Sequence, residues 1–429
     1  MAPPPPPQIV IALPARDEAM RISRALHALA AQRGPLPPFS VLLLANNCRD
    51  ETAEVGRRTR PAGLDLHVHE VTLALPQANV GGARRLALDL AADLAGEQGI
   101  IVSTDADTLT HPDWLAGLLA PLRCSAASAG RLMLDPGERA RLSAPIRHTH
   151  LLDCAYRWAA TQLTARLDPD PHDPWPRHWQ HFGASLALHV WAYRAVGGLP
   201  EVPCLEDVAL VQALRHADLP LRHTLQARAY TSARLSGRVP VGLSTQLQEW
   251  QNGPECWTVP GAAEVAALAR AEAALRAVYG HAGTRHTGTE QSGIRQSGPM
   301  LARIGHHWML PEQALRDALE APRLGLALHH AHRAREQGGL WRERYPAEPV
   351  TQALRALRQA LAEVSPGETV TGLRSRPMPA PQTQPQASGT PGRDIGSSEG
   401  TASGEAGLLC QSPLPESRSH EGSTQTSSR

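Results

Sequence analysis

Lysine is absent from this 429-residue chain, whose 42 basic residues are all arginine. That absence excludes a lysine nucleophile, a Schiff base and a P-loop phosphate lysine. Aromatic residues are scarce, at 4%, so the core must be built from Leu, Ala and Val. Net charge is scarce too, at +1, which removes the basic surplus expected of a nucleic-acid binder. The six cysteines (Cys48, Cys124, Cys154, Cys204, Cys256 and Cys410) form no CxxC pair, which argues against a zinc site or a disulfide framework. The opening MAPPPPPQIV lacks the basic and apolar regions of a signal peptide. No apolar run approaches the roughly 20 residues that cross a bilayer. The expectation is a cytoplasmic protein with no transmembrane segment, with peripheral membrane contact left open.

Hydrophobic residues make up 42% and charged residues 19%, enough for a sizeable core. After an N-terminal proline arm, short apolar runs alternate with helical periodicity. IVIAL is read as a buried strand ending at Pro14. A helix follows with Ile22, Leu26 and Leu29 on one face and Gly34 as its stop. Residues 41–45 form a second strand, with a helix starting near Asp50, and LHVHEV forms a third. Gly81-Gly82 opens a helix with Leu86, Leu90 and Leu94 inward, and a strand at Ile100 comes next. Strand-helix alternation of this kind predicts an α/β fold with a mostly parallel sheet. Ligands of such sheets bind at the carboxyl ends of the strands.

Beyond Asp135 the pattern predicts a helix over 144–165, a proline-rich loop with Trp175 and Trp179, a strand in GASLALHV and a helix opening at Glu206-Asp207. A strand is expected in ARAYTSARLSGR and an alanine-rich helix over 261–279. The expected organisation is a domain over 8–255, a helical extension over 256–364 with a polar linker near 280–300, and a disordered tail over 365–429.

The apolar strand Ile100-Ile101-Val102 ends in Asp105-Ala106-Asp107. Carboxylates at i and i+2 on an extended chain face the same side, and they repel unless a cation lies between them. Oxygen ligands of this kind suit Mg²⁺ or Mn²⁺, which also grip phosphate oxygens. Pro14 to Glu18, Asn46 to Asp50 and Asp105 to Asp107 all fall at expected strand ends. Each has a plainer reading: loop punctuation for the aspartates, and acidic helix starts for Glu18 and for Glu206-Asp207.

Pro14-Ala15-Arg16-Asp17-Glu18, Asn46-Asn47-Cys48-Arg49-Asp50, Asp105-Ala106-Asp107, Gly197-Gly198 and Glu206-Asp207 occur in the order seen in family 2 glycosyltransferases of bacterial type. The resemblance covers roughly residues 8–250 and implies a GT-A fold, a Rossmann-like sheet flanked by helices. It implies that Asp107 and Asp105 hold Mn²⁺ or Mg²⁺ against a nucleotide-sugar diphosphate, with Asp107 the more direct ligand and Asp105 nearer the ribose. It makes Asp207, beside Glu206, the general base that takes the acceptor hydroxyl's proton, which implies inversion at the anomeric carbon. Pro14, Ala15, Glu18, Asn46 and Asp50 are then substrate-binding positions around the nucleotide. The acceptor would be a carbohydrate, lipid or small-molecule hydroxyl lying against the 166–182 loop.

The chain departs from the family where Ala45-Asn46 replaces the usual acidic pair. Asparagine both donates and accepts, whereas an ionised aspartate only accepts, so UDP, GDP and dTDP all remain open. Arg84 and Arg85 at a helix start are candidates for phosphate contact, against the reading of solvated surface charge. Arg234 and Arg238 in TSARLSGR are similar candidates. QLQEW places Glu249 where the QxxRW signature of processive synthases has arginine, which disfavours a processive enzyme. His306-His307 and His329-His330-His332, with no nearby carboxylate in sequence, are read as surface histidines rather than metal ligands. Trp175 and Trp179 either stack on an acceptor or anchor their loop. Two rivals stand beside the transferase. A sugar nucleotidyltransferase would want a glycine-rich loop with a lysine or arginine after the first strand; PARDE lacks the glycines, and the chain lacks lysine. A silent nucleotide-sugar-binding scaffold should have lost its acidic base, yet Glu206-Asp207 is intact.

Overall fold

The continuous apolar run at the N-terminus becomes strand β1 (Ile9–Ala15), buried on both faces as a central parallel strand should be. The computed structural model describes residues 8–237, 241–283 and 298–364. β2 (Phe39–Asn46) and β3 (Asp65–Val71) follow on one side of β1, and β4 (Ile100–Ser103) lies on the other. β5 (Leu109–Thr110), β6 (Ala127–Leu134), β7 (Leu186–His189) and β8 (Leu221–Thr231) complete an eight-stranded sheet in the order β3-β2-β1-β4-β7-β6-β8-β5. The mostly parallel α/β fold expected from the sequence is present. β7 runs antiparallel to both neighbours, and β5 runs antiparallel to β8.

The chain moves outward from β1 to β3 and then returns to β4 on β1's far side. The crevice between β1 and β4 is therefore a topological switch point, where open α/β sheets bind ligands. Their pairing stops at Ala12↔Ser103. Beyond it β1 is paired only with β2, through Ala15↔Ala45. Pro14, which has no N–H to donate, thus sits where β1 has lost its β4 neighbour.

Helices cover both faces. α1 (Ile22–Ala30) and α2 (Thr52–Thr59) connect the first strands, and α3 (Val80–Ala95) leads to β4. α4 (Trp114–Leu119) lies with α1 over the core that holds Ile11, Leu13, Leu43 and Val102. α5 (Pro136–Arg141) and the long α6 (Ala144–Leu167) follow β6. α7 (Val190–Ala195) and α8 (Glu206–His216) join α3 over the opposite face.

Several sequence expectations need correction. α1 ends at Ala30 rather than at Gly34. α3 turns Arg84, Ala87, Leu88, Ala91 and Ala95 inward, while Leu86 and Leu90 are half-buried and Leu94 is exposed. Small alanines let this helix lie close to the sheet, so the leucine stripe is displaced to its flank. β6, whose ASAGRLML is poor in branched residues, has no counterpart among the sequence-read strands. The strand expected in ARAYTSARLSGR starts earlier, at Leu221, and ends at Thr231. Arg238, the residue 1–7 arm and the 365–429 tail lie outside the described residues.

After β8, α9 (Leu243–Glu249) and β9 (Thr258–Val259) lead to α10 (Ala262–Gly283). Next come α11 (Gly298–Trp308), α12 (Glu312–Leu319), α13 (Leu324–Gly338) and α14 (Leu340–Arg344). β10 (Glu348–Pro349), paired with β9, and α15 (Val350–Glu363) end the described chain. Ile146, Tyr156 and Leu163 of α6 share a core with Trp250, Trp257, Val350, Leu354 and Leu357. The 256–364 segment is thereby anchored on α6, and Arg166 also donates to the carbonyls of Leu361 and Val364 at 2.7 and 2.9 Å. No helix among the described residues is long and apolar enough to cross a membrane.

Candidate active site

The loops after β1 and β2 are braced against each other. Asp17, with a left-handed φ of 51°, accepts the Arg49 N–H at 2.6 Å. The Glu18 N–H donates to the Thr52 hydroxyl at 2.8 Å. Asp50 accepts the N–H groups of Ala19 and Thr52, both at 3.0 Å, and the Thr52 hydroxyl as well. Asp50 is exposed, but much of its hydrogen-bonding capacity is spent on these braces. Asn46, buried at the end of β2, pairs in register with Val71. Asn47 uses both ends of its amide on the Leu73 backbone, at 2.9 and 3.1 Å. Among the described residues, Asp17, Cys48 and Asp50 each bring a ligand atom within 4.8 Å of the others. Burial, with Asp50 and Asp17 adding to it, pushes the Cys48 thiol up, so the thiolate a metal would need is disfavoured there.

Asp105 and Asp107 lie just past the end of β4, in the β1/β4 crevice. Asp105 is about one third exposed (34%), and its Oδ1 accepts from Arg84 Nη2 at 2.7 Å. Asp107 is more enclosed, and its Oδ2 lies 3.0 Å from Arg234 Nη2. Arg234 Nη1 also donates to Oε1 of the buried Glu18 at 2.9 Å. Burial first, and then the neighbouring Asp105, push the Asp107 carboxyl up to about 6 against the pull of Arg234.

The second acidic pair comes from the first turn of α8. Leu205, at φ 57°, turns the chain so that Glu206 points inward. Glu206 Oε1 accepts from Arg84 Nε at 2.8 Å. Asp207 Oδ2 accepts the Gly183 N–H at 2.7 Å, and its Oδ1 accepts the Val208 N–H at 2.8 Å. Burial and the adjacent Glu206 push Asp207 up to about 6, while Arg84 and the two amides hold it down. A carboxylate with this pKa is ionised at neutral pH yet basic enough to accept a proton.

Arg84 is neither solvated charge nor open phosphate ligand. Its side chain is 7% exposed. Burial works against its charge, but Asp105, Glu206 and Asp207 outweigh that, and its pKa is raised. Arg85 instead reaches the Leu199 carbonyl, with Asp89 3.6 Å away. The sequence gives no signal that Arg84 faces inward, because a charged residue at a helix start ordinarily means solvent.

The 168–182 loop is fastened to the sheet. Asp173 accepts from His223 Nδ1 at 2.7 Å and from Arg222 at 2.8 Å. His178 Nδ1 accepts the Gln180 N–H, so its proton sits on Nε2, shared between the carbonyls of Ala129 and Thr224 at 3.1 Å. Gln180 pairs both ends of its amide with Leu132. Trp175 meets Trp158 edge-on at 5.0 Å, which makes it an anchor within this loop. The expectation of surface histidines fails for His329 and His332. Both are half-buried, bonded to Gln212 and Glu272 at 2.9 Å.

Three solved structures illustrate the likenesses found. A mannosyltransferase from Pyrobaculum calidifontis, in complex with GDP-Man and Mn²⁺, is 18% identical, with 84% of this chain and 81% of that chain covered and a TM-score of 0.37. S. aureus TarS in complex with UDP is 13% identical over 83% and 92% of the two chains, at a TM-score of 0.38. Glucosyl-3-phosphoglycerate synthase from Mycobacterium tuberculosis, with Mn²⁺, UDP-glucose and phosphoglyceric acid, is 18% identical over 57% and 78%, at 0.34. No curated protein matches the chain by sequence. Residues 5–166, which carry β1 to β6 together with Asp105 and Asp107, match the family model described as glycosyltransferase like family 2. Over that stretch the chain is similar to family 2 glycosyltransferases.

Proposed function

We propose that this glycosyltransferase moves a single sugar from a nucleotide sugar to a hydroxyl acceptor, with inversion and with a divalent metal. The observation that carries the reading is the meeting of Asp105 and Glu206, one from each acidic pair, on one buried guanidinium, Arg84, at the β1/β4 crevice.

The side chains present fit a metal. Glu18, Asp105, Asp107, Glu206 and Asp207 bring five carboxylates, against the guanidiniums of Arg21, Arg84 and Arg234. Acidic groups outnumber basic ones in this set, and oxygen-only donors suit Mg²⁺ or Mn²⁺. Asp107 and Asp105 would hold it. An ion held there would supply Lewis-acid stabilisation of the negative charge on the diphosphate leaving group.

Asp207 Oδ takes the proton of the acceptor hydroxyl as that oxygen attacks the anomeric carbon. The bond from that carbon to the diphosphate oxygen breaks, and nucleoside diphosphate leaves with the electron pair. One displacement with one base and no covalent intermediate inverts the centre. A positioned base contributes about 10²–10⁴-fold. The backbone of Pro14 and Ala15, with Glu18, Asn46 and Asp50, lines the nucleotide side. The acceptor lies against the 166–182 loop, because that segment delivers Gly183 to Asp207. We take residues 8–255 as the transferase domain and 256–364 as a helical extension. A cytoplasmic setting, where nucleotide sugars are made, accords with this reading.

The test is release of nucleoside diphosphate from a panel of nucleotide sugars with Mn²⁺, with and without acceptor extracts. At least one donor should turn over, and chelation by EDTA should stop it. A panel in which no donor binds or reacts overturns the proposal.

A further inference from the structure

We infer that Arg84 is a positioning residue that sets the distance between the donor-side carboxylates and the base; the inference rests on the transferase reading above. Four hydrogen bonds support it. Nε donates to Glu206 at 2.8 Å and Nη2 to Asp105 at 2.7 Å. Nη1 donates to the Ser103 hydroxyl at 2.9 Å and to the Gly183 carbonyl at 3.2 Å. The acceptors come from the end of β4, the turn that carries the metal aspartates, the turn before β7 and the first turn of α8. A planar guanidinium imposes fixed angles among its partners, which a flexible ammonium cannot do.

Two routes run from Arg84 to Asp207. One passes through Glu206, its neighbour in α8. The other passes through Gly183, whose carbonyl accepts from Arg84 while its N–H donates to Asp207 Oδ2 at 2.7 Å. Gly183 lies against the guanidinium so closely that a Cβ there would sit 2.7 Å from Arg84 Cζ. On the donor side, Asp105 is two residues from Asp107 on the same turn. Arg84 is buried and four of its five N–H donors are taken by protein groups, so it acts through these partners. A misplacement of about 1 Å at reacting groups can cost on the order of 10²-fold in rate.

The experiment uses the full chain with a donor it turns over, and compares Arg84→Lys and Gly183→Ala. Arg84→Lys keeps the charge and loses the fork. Gly183→Ala keeps every charge and displaces the fork. Circular dichroism gives the folded fraction, steady-state kinetics gives kcat and KM, and calorimetry gives donor affinity. Arg84→Lys should lower kcat about 100-fold per folded molecule while donor Kd stays within about threefold. Gly183→Ala should lower kcat at least about tenfold with the same unchanged Kd, and it decides alone if the lysine variant does not fold. Loss of donor affinity with kcat retained would make Arg84 a diphosphate ligand and overturn the inference. Normal kcat in the folded fraction of both variants would reduce Arg84 to a structural ion pair and also overturn it. A wild-type chain that turns over no donor sinks the transferase reading, and this inference with it.

Discussion

Arg234 Nη2 lies 3.0 Å from Asp107 Oδ2, so a guanidinium from the segment after β8 neutralises the carboxylate assigned to the metal. Two unit charges about 4 Å apart interact by about 4 kcal/mol at an effective dielectric near 20, and the quarter-exposed arginine feels somewhat less. Arg234 and a divalent ion compete for the same oxygen. Arg234→Gln should therefore tighten Mn²⁺ binding to the donor-free protein about tenfold, read from the free Mn²⁺ signal in electron paramagnetic resonance. Unchanged or weaker Mn²⁺ binding would mean that Asp107 is not a metal ligand.

Asp207 should set the acid limb of activity. Its carboxyl is pushed up to about 6 by burial and Glu206, and only the ionised form accepts a proton. With Mn²⁺ saturating, kcat/KM should be flat above that pH and fall about tenfold per unit below it. Asp207→Asn should lower kcat by about 10²–10⁴-fold across the range. A variant that keeps the wild-type profile would remove Asp207 from the role of base.

Stability should fall on acidification through the buried histidines. Burial, with His223 adding to it, holds His178 down to about 3, and burial holds His181 well below the ordinary range. Unfolded histidine takes a proton near pH 6.5, so between there and pH 3 the unfolded chain binds more protons and is favoured as pH falls. Each such group contributes at most about 1.4 kcal/mol per pH unit. Asp107 and Asp207 act in the opposite sense between about pH 4 and 6, because the folded chain protonates them first. Urea denaturation at several pH values should show a shallower decline between pH 6 and 4 for His178→Asn than for wild type. Parallel declines would show that His178 is not the titrating group.

Asp153 joins α6 to the C-terminal segment. Its Oδ1 accepts from the Trp257 indole at 2.9 Å and its Oδ2 from Arg157 at 2.7 Å, and the carboxylate is buried. Asp153→Ala removes the partner of a buried indole N–H and one partner of a cation, which should cost about 2–4 kcal/mol. Activity per folded molecule should change little. Chemical denaturation monitored by tryptophan fluorescence checks the first point, and kinetics at low temperature checks the second.

The central strands were legible because their burial on both faces demands continuous apolar runs. β1, β2 and β4 read as such, and their C-terminal loops were found with them. β6 was missed because its small residues fill a crowded sheet without a branched apolar signature. β8 was shifted because LRHTLQARAYT alternates polar residues that belong to Arg222 and His223 clamping Asp173, a pairing 49 and 50 residues apart. The acidic residues of the site were all named, since carboxylates at strand ends and a helix start stand out. The cations Arg84 and Arg234 were named as well, but as candidates for phosphate contact and not as partners of these carboxylates. Whether Arg84 faces solvent or the core depends on how near α3 lies to the sheet, and six buried alanines and glycines in that helix decide this only in three dimensions.

Proton NMR of one reaction would address the central claim most directly: a nucleotide sugar the protein turns over, an acceptor and Mn²⁺, followed at the anomeric proton. The donor signal should give way to a product signal of opposite anomeric configuration, at a rate that EDTA abolishes and Asp207→Asn lowers at least about 100-fold. A product with retained configuration, or transfer indifferent to EDTA and to Asp207, would contradict it.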